Sequence, residues 1–429
     1  METDALRTPP GPGAPGQSVH GPARGSTTRG ERALAPDIAR GFMLLLIVLA
    51  HAPLYVMTAH PGVLTHPEGG DALDRAITFL GLAGVDNRAY PMFAALFGYG
   101  MATLVSRQLA AGSTPRAARR LLTRRGVWLV LFGLVHYILI FPADILGPYG
   151  VAALVLGWLF VRGDRALRRG AWIATAVGFA LASVFAVALA TAEDSHADNP
   201  RGTIWAHDYA DALGTRAGEA LFPDIHVLLG WPVPAAILLG AIAARRHWLD
   251  RPADHRTLLR RVAAVGLPVS LAGGVPLALI GSGAWHTSDV TEGLATALHI
   301  VTGFAGGLGY AAVFGLIAAR RAERGLGAGP AGRALAAVGK RSLTTYLLQS
   351  ALLALLLSPM ALGLGEHIHA TGAALTAVAV WAAAGLFANL LEHHGRRGPV
   401  DALLRRLVYG RTAAVSTPHP ATTSQRRTP

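Results

Sequence analysis

The stretch DIARGFMLLLIVLAH, Asp37–His51, decides what kind of protein this is. From Gly41 to Ala50 it is unbroken apolar sequence, yet it opens on a carboxylate and a guanidinium and closes on an imidazole. A membrane-crossing helix needs about 20 mostly apolar residues to traverse a hydrocarbon core of about 30 Å. The run supplies one over 40–59. Asp37 and Arg40, three apart, form a helix-surface pair. His51 follows Arg40 by eleven steps, about 16 Å along the axis and about 20° past three full turns, so the two share one face and His51 lies near the midplane.

Working outward, further apolar runs fall at 87–106, 125–142, 144–161, 171–191, 222–244, 258–281, 291–319, 339–359 and 371–391. The fold class expected is all-α, a polytopic integral membrane helical bundle of ten transmembrane helices over 33–391. It would be flanked by a Pro-, Gly-, Ser- and Thr-rich tail, 1–32, too polar to fold alone, and by a basic C-terminal tail, 392–429. The composition agrees. Apolar residues make up 52% of the 429 and charged ones 15%, where a soluble domain carries about 25% charge. Mean hydropathy is +0.41.

The net charge is +13. Basic excess is one signature of nucleic-acid binding, but here the arginines sit in short runs between apolar stretches, as in loops facing a membrane surface. With both termini inside, 34 of the 38 basic residues fall in inner segments, leaving Arg75, Arg88, Arg201 and Arg216 outside. This alternation predicts an N-in, C-in topology. The bias to arginine, with Lys340 the one lysine, suits a GC-rich bacterial genome and hence the bacterial cytoplasmic (inner) membrane. The first apolar run begins too late for a secretory signal. The longest outer segment, 192–221, has room for a short surface helix or a lid. Cysteine is absent, which removes disulfides, a thiolate nucleophile and thiolate metal sites. The lipid bilayer is the expected partner, no nucleic acid is expected, and a homo-oligomer is compatible with the chain.

Ionisable groups inside a membrane are costly and mark candidate sites. By depth, His136, His299 and Gln349 are companions for His51, each about 12–16 Å in. They would line one cavity, or make separate interhelical hydrogen bonds. Arg40 is either a bidentate anion holder or a snorkelling anchor. Asp144 and Asp224 stand in related Phe-Pro contexts, where helix capping is the simpler role. Asp86 to Pro91 likewise reads as a helix start. Histidine, with a pKa of about 6.5, is a natural general base.

Three stretches together resemble the YeiB family, also called the domain-of-unknown-function 418 family: DIARGFMLLLIVLAH, then GLVHYILIFPADILGPYG (Gly133–Gly150, with His136, Asp144 and Tyr149), then GKRSLTTYLLQS (Gly339–Ser350, with Tyr346 and Gln349), followed by GPVDALLRRLVYG (Gly398–Gly410). The family is similar in outline to membrane O-acyltransferases, which carry an Arg, ten residues and a His on the first helix; here these are Arg40 and His51. The resemblance implies acyl transfer from acyl-CoA. In the related N-acetyltransferases the reactive His precedes a Phe-Pro-rich helix, whereas Asp74 to Pro91 here holds none; His60 and His66 come earlier.

The expectation is therefore an acyl-CoA-dependent enzyme with His51, His136 and Asp144 catalytic, Arg40 holding the donor, and Asp37, Arg88, Tyr149, Tyr346, Gln349 and His299 binding substrate. The acceptor would be a hydroxyl or amine of a glycan, lipid or small metabolite. The rival is a small-metabolite transporter, with breaks at Gly230–Pro234 or Gly303–Gly309.

Overall fold

The computed structural model of the protein describes residues 34–58, 62–191, 201–220 and 232–410. The expected tail at 1–32, His60, Asp224 with its Phe-Pro context, the Gly230–Trp231 step and the last part of the basic tail lie outside the described residues. No β-strand occurs among the described residues, and the protein is all-α.

The helices are α1 (Leu34–His51), α2 (Ala72–Gly84), α3 (Ala89–Ala110), α4 (Pro115–Leu139), α5 (Leu146–Leu156), α6 (Asp164–Thr191), α7 (Arg201–Ile204), α8 (Tyr209–Glu219), α9 (Val233–Arg245), α10 (Arg256–Gly281), α11 (Asp289–Glu323), α12 (Gly329–Lys340), α13 (Ser342–Leu357), α14 (Ala370–His393) and α15 (Pro399–Tyr409). Among the described residues, six stretches are helical, long and apolar enough to cross a membrane: Leu34–Tyr55, Ala72–Ala110, Pro115–Leu139, Arg256–Gly281, Asp289–Glu323 and Ala370–His393. Three shorter apolar helices, α5, α9 and α13, fall on other expected spans. The protein is a membrane protein. Its periphery agrees, since Trp172, Leu375 and Leu386 are each more than 60% exposed, a surface suited to lipid and not to water.

Boundaries differ from the expected ones where the chain carries a specific breaker. The first helix, expected to run to residue 59, ends at His51 and passes into a 3-10 turn, Ala52–Tyr55. Pro53 lacks the N–H that the next helical bond requires. The expected helix over 339–359 is two helices meeting at Arg341, where ψ swings to 29°. The expected helix over 144–161 is α5 followed by a 3-10 turn, Leu159–Val161.

Helix α1 is central, with buried side chains on nearly all sides. It packs on α12, α14 and α3, while α3 packs on α9, α4 on α5, and α10 on both α11 and α2. Two of these pairs are built on reciprocal glycines. A Cβ at Gly98 of α3 would stand 1.9 Å from the Ile237 carbonyl oxygen of α9, and one at Gly240 of α9 the same distance from that of Ala95. Likewise Gly41 of α1 faces the Leu335 carbonyl of α12, and Gly339 of α12 that of Asp37. In a bundle whose helices gain little from leaving lipid, such close backbone approach supplies the packing energy. Replacing Gly98 by Leu must push α3 from α9. Overpacking of this kind costs about 1–3 kcal/mol or more. The expected result is a lowered melting temperature and loss of the monodisperse species on size-exclusion chromatography in detergent, with Gly98→Ala intermediate.

Candidate functional site

The turn between α4 and α5 places the first functional group. His136 lies in the last turn of α4, and Phe141-Pro142-Ala143-Asp144 carries the chain over into α5. His136 Nδ1 is 2.7 Å from Asp144 Oδ1, and the Gly147 N–H donates to Asp144 Oδ2 at 2.7 Å. The carboxylate is thus fully engaged and holds the imidazole by Nδ1. His136 Nε2 is buried and has no hydrogen-bond partner among the described residues. The turn is tight enough for this only because residue 133 is glycine. A Cβ there would meet Gly147 N at 2.2 Å and Asp144 Oδ2 at 2.5 Å.

Phe141 is the hub of an aromatic group around the pair. Its ring lies 4.8 Å from that of His51, 5.8 Å from Tyr55 and 6.2 Å from His136. Tyr346 of α13 packs on the other side of His136, at 5.2 Å between ring centroids. Gln349, buried, lies three residues on along the same helix face. Tyr90 Oη reaches to 3.5 Å from His51 Nε2, and Tyr149 Oη donates to the Tyr90 carbonyl at 3.1 Å. His51, His136, Asp144, Tyr149, Tyr346 and Gln349 are therefore brought into one region. Tyr55, Tyr90 and Phe141 complete it without having been singled out as site residues. Pro53 and Pro142 mark the turns that hold Tyr55 and Phe141, and Pro91 marks the helix start that holds Tyr90.

A cavity of about 940 Å³ opens at the arginine-rich end of the bundle and reaches this region from below. Asp37 and Arg40 line it, together with Tyr149 and Tyr346 at its deep end. Arg40 bonds Asp37 Oδ1 at 3.0 Å and the Leu96 carbonyl of α3 at 3.1 Å, which fixes the guanidinium in the wall. Nine arginine and lysine side chains line the cavity against four carboxylates. They come from α1, α3, α4 and α12, from the segments between helices, and from α15. That helix docks through Asp401, which accepts from both the N–H and the hydroxyl of Thr344 at the start of α13. His51 and His136 are not in the cavity wall. Tyr346, with one face on the cavity and the other on His136, separates them.

The opposite end is covered by α7 and α8, within the segment expected to hold a surface helix or lid. Arg216 of α8 is buried and donates to the carbonyls of Thr203 (2.6 Å) and Ile140 (3.4 Å). Tyr209 Oη donates to the Leu139 carbonyl at 2.9 Å, and Trp205 Nε1 to that of Leu54 at 2.9 Å. The Ile140, Leu139 and Leu54 carbonyls are backbone groups freed where α4 or the α1 extension ends, and the Thr203 carbonyl belongs to α7 of the cover itself.

Arg88 and His299 stand apart, against the expectation that they bind substrate with the others. Arg88 uses all three guanidinium nitrogens on the protein, donating to Ser270 Oγ (2.9 Å) and to the carbonyls of Leu82 (2.9 Å), Asp86 (2.6 Å) and Ser270 (2.7 Å), and it touches His299 Nε2. His299 Nδ1 is 2.9 Å from Asn87. The group ties α2, α3, α10 and α11 together. His66 folds back onto Asp86 at 2.9 Å, so a second His–Asp contact exists away from the first.

Arg216→Met should release the cover without disturbing α4. Charge-assisted hydrogen bonds are worth about 1.5–3 kcal/mol each. Amide exchange across 201–220 is expected to speed up tenfold or more, with 115–135 unchanged, by hydrogen–deuterium exchange mass spectrometry.

Comparison with known proteins places this arrangement. Residues 243–411 match the family described as "Protein of unknown function (DUF418)". The chain is 27% identical over 403 residues to "Uncharacterized protein YeiB" of Escherichia coli (strain K12), covering 88% of this chain and 96% of that one. It is 26% identical over 346 residues to "Uncharacterized protein YxaH" of Bacillus subtilis (strain 168), covering 76% and 80% respectively. The matched segment includes α13 and α15, which line the cavity, and the longer alignments extend the likeness over most of the chain. The chain is similar to the DUF418 family over 243–411 and to YeiB-like proteins over most of its length.

Proposed function

We propose that the protein is an acyltransferase of the bacterial cytoplasmic membrane that takes its acyl group from cytoplasmic acyl-CoA. The observation that carries this reading is the His136–Asp144 pair with its open Nε2, set one aromatic ring beyond a cation-lined cavity. A carboxylate on Nδ1 fixes the tautomer with the lone pair on Nε2, the arrangement a general base needs. His136 is thus a better base than His51, to which the residue spacing alone assigned that role. His51, against Phe141 and Tyr90, is placed to donate to the thioester carbonyl oxygen.

In this scheme the basic mouth faces the cytoplasm, in keeping with the arginine distribution, and holds the phosphates of the donor. Arginine suits phosphate through its planar fork. A volume of about 940 Å³ lies at the upper end of what ligand sites occupy. The acyl thioester points toward Tyr346 and Tyr149. The acceptor hydroxyl or amine attacks the carbonyl carbon as His136 Nε2 takes its proton. The C–S bond then breaks and the proton passes to the departing thiolate, giving free coenzyme A and the acylated acceptor with no net change in protons. Tyr346 must swing aside for the two halves to meet.

A transport reading draws on the same one-sided cavity. Against it, Gly303, Gly306, Gly307 and Gly309 do not break their helix. They lie in α11, continuous over Asp289–Glu323, where Gly303 and Gly307 make room for the backbone of Asn87 and Arg88.

Purified protein in nanodiscs should release coenzyme A from acetyl-CoA when an acceptor is supplied. Asp144→Asn and His136→Ala are each expected to lower kcat about 10²–10⁴-fold. Arg40→Ala should raise the donor KM about tenfold with kcat little changed, the pattern of lost uniform binding, and the donor KM should climb with salt. Substrate flux in proteoliposomes, with no coenzyme A release and no effect of Asp144→Asn, would overturn the enzyme reading.

A further inference from the structure

Beside the His136–Asp144 pair lie polar atoms that the described protein does not use. His136 Nε2, Tyr55 Oη and both the oxygen and the nitrogen of the Gln349 carboxamide are buried without a hydrogen-bond partner among the described residues. Native proteins strand few such atoms, and a group of them asks for a ligand or water to complete it. They belong to one neighbourhood. Tyr55 and His136 share the Phe141 ring, and Gln349 sits on the α13 face that packs Tyr346 on His136.

The chemistry of the group is uncharged. Asp144, the carboxylate nearest the pair, already has one oxygen on His136 and the other on the Gly147 N–H, so an ammonium group buried here would have to compete with both while losing its own hydration. Arg216 has both terminal nitrogens on the carbonyls of Ile140 and Thr203, so that only Nε is without a partner among the described residues and no pair of donors is left to grip a phosphate. What remains is one imidazole lone pair, the phenols of Tyr55 and Tyr346 and one carboxamide, each able to hydrogen-bond a hydroxyl, set among aromatic faces.

We infer that Gln349, Tyr55 and His136 form the acceptor subsite, and that it takes a hydroxyl of an uncharged, polyhydroxylated molecule, in preference to an amine or a phosphorylated acceptor. The role as acceptor subsite rests on the acyl-transfer reading; the binding preference does not. Gln349 and Tyr55 position the molecule, and the hydroxyl presented to His136 Nε2 is the one that reacts.

The test uses the full chain in nanodiscs, wild type beside Gln349→Met and Tyr55→Phe, with methyl glucoside, glucosamine and glucose 6-phosphate as matched probes. Replacing an unsatisfied buried polar group by an apolar one of similar shape is neutral or stabilising. Without ligand, both variants should therefore melt at the wild-type temperature or about 1–2 °C above it. Methyl glucoside should raise the wild-type melting temperature, the two charged probes should not, and the shift should fall by at least half in Gln349→Met. In turnover, the variants should raise the acceptor KM about tenfold with the donor KM unchanged. Variants that melt several degrees lower would show that the groups are structural and overturn the inference. So would shifts by the charged probes equal to that of methyl glucoside, or no shift by any probe. A methyl glucoside shift without coenzyme A release would leave the subsite standing and overturn acyl transfer instead.

Discussion

Two helices of this bundle stop where backbone groups cannot be left to water, and the rest of the site follows from how their ends are satisfied. Helix α1 gives way at His51 and α4 at Leu139. In an apolar medium each unsatisfied carbonyl costs several kcal/mol. Arg216, Tyr209 and Trp205 reach down from the covering segment to the carbonyls of Ile140, Leu139 and Leu54. The cover is therefore the missing continuation of the helices in hydrogen-bonding terms. Because the helices end early, their last residues can be polar and face each other, which a continuous apolar span would forbid.

The same economy of backbone explains the glycines. Gly133 lets the α4–α5 turn close until Asp144 meets His136, and the reciprocal pairs Gly41/Gly339 and Gly98/Gly240 fix α1 and α3 against their neighbours. Arg40 bridges these two helices through the Leu96 carbonyl. Position of the cavity wall and position of the imidazoles are thus set by one set of close contacts.

Much of this was legible in the residues. Apolar run lengths located the helices, the Asp37–Arg40 pair followed from helical spacing, and depth pointed to His51, His136 and Gln349, while Tyr346 was marked only by the stretch GKRSLTTYLLQS that contains it. Depth alone misplaced His299, because it carries no information on direction around a helix, and the ring points instead to Asn87 and Arg88. The His136–Asp144 contact depends on a turn of irregular backbone, and the cover depends on side chains meeting carbonyls across 60 to 150 residues of sequence. Neither has a period to read. Pro53 and Pro142 were the local marks of both, visible as breakers but silent on what the breaks were for.

The ring of Tyr346 has a consequence for the membrane itself. A cavity entering from one end and a cover at the other leave a thin septum, made of Tyr149 and Tyr346 on one side and the imidazoles on the other. Were it absent, the protein would be a water-filled hole lined by arginine, and the bilayer would lose its insulation wherever the protein sat. In the acyl-transfer reading proposed above, the side chain that yields to let donor and acceptor meet must also never leave a through-path while it does so. On that reading the cover on the far side, held by Arg216, Tyr209 and Trp205, is the second seal of an airlock, and it has to stay shut while the first one yields.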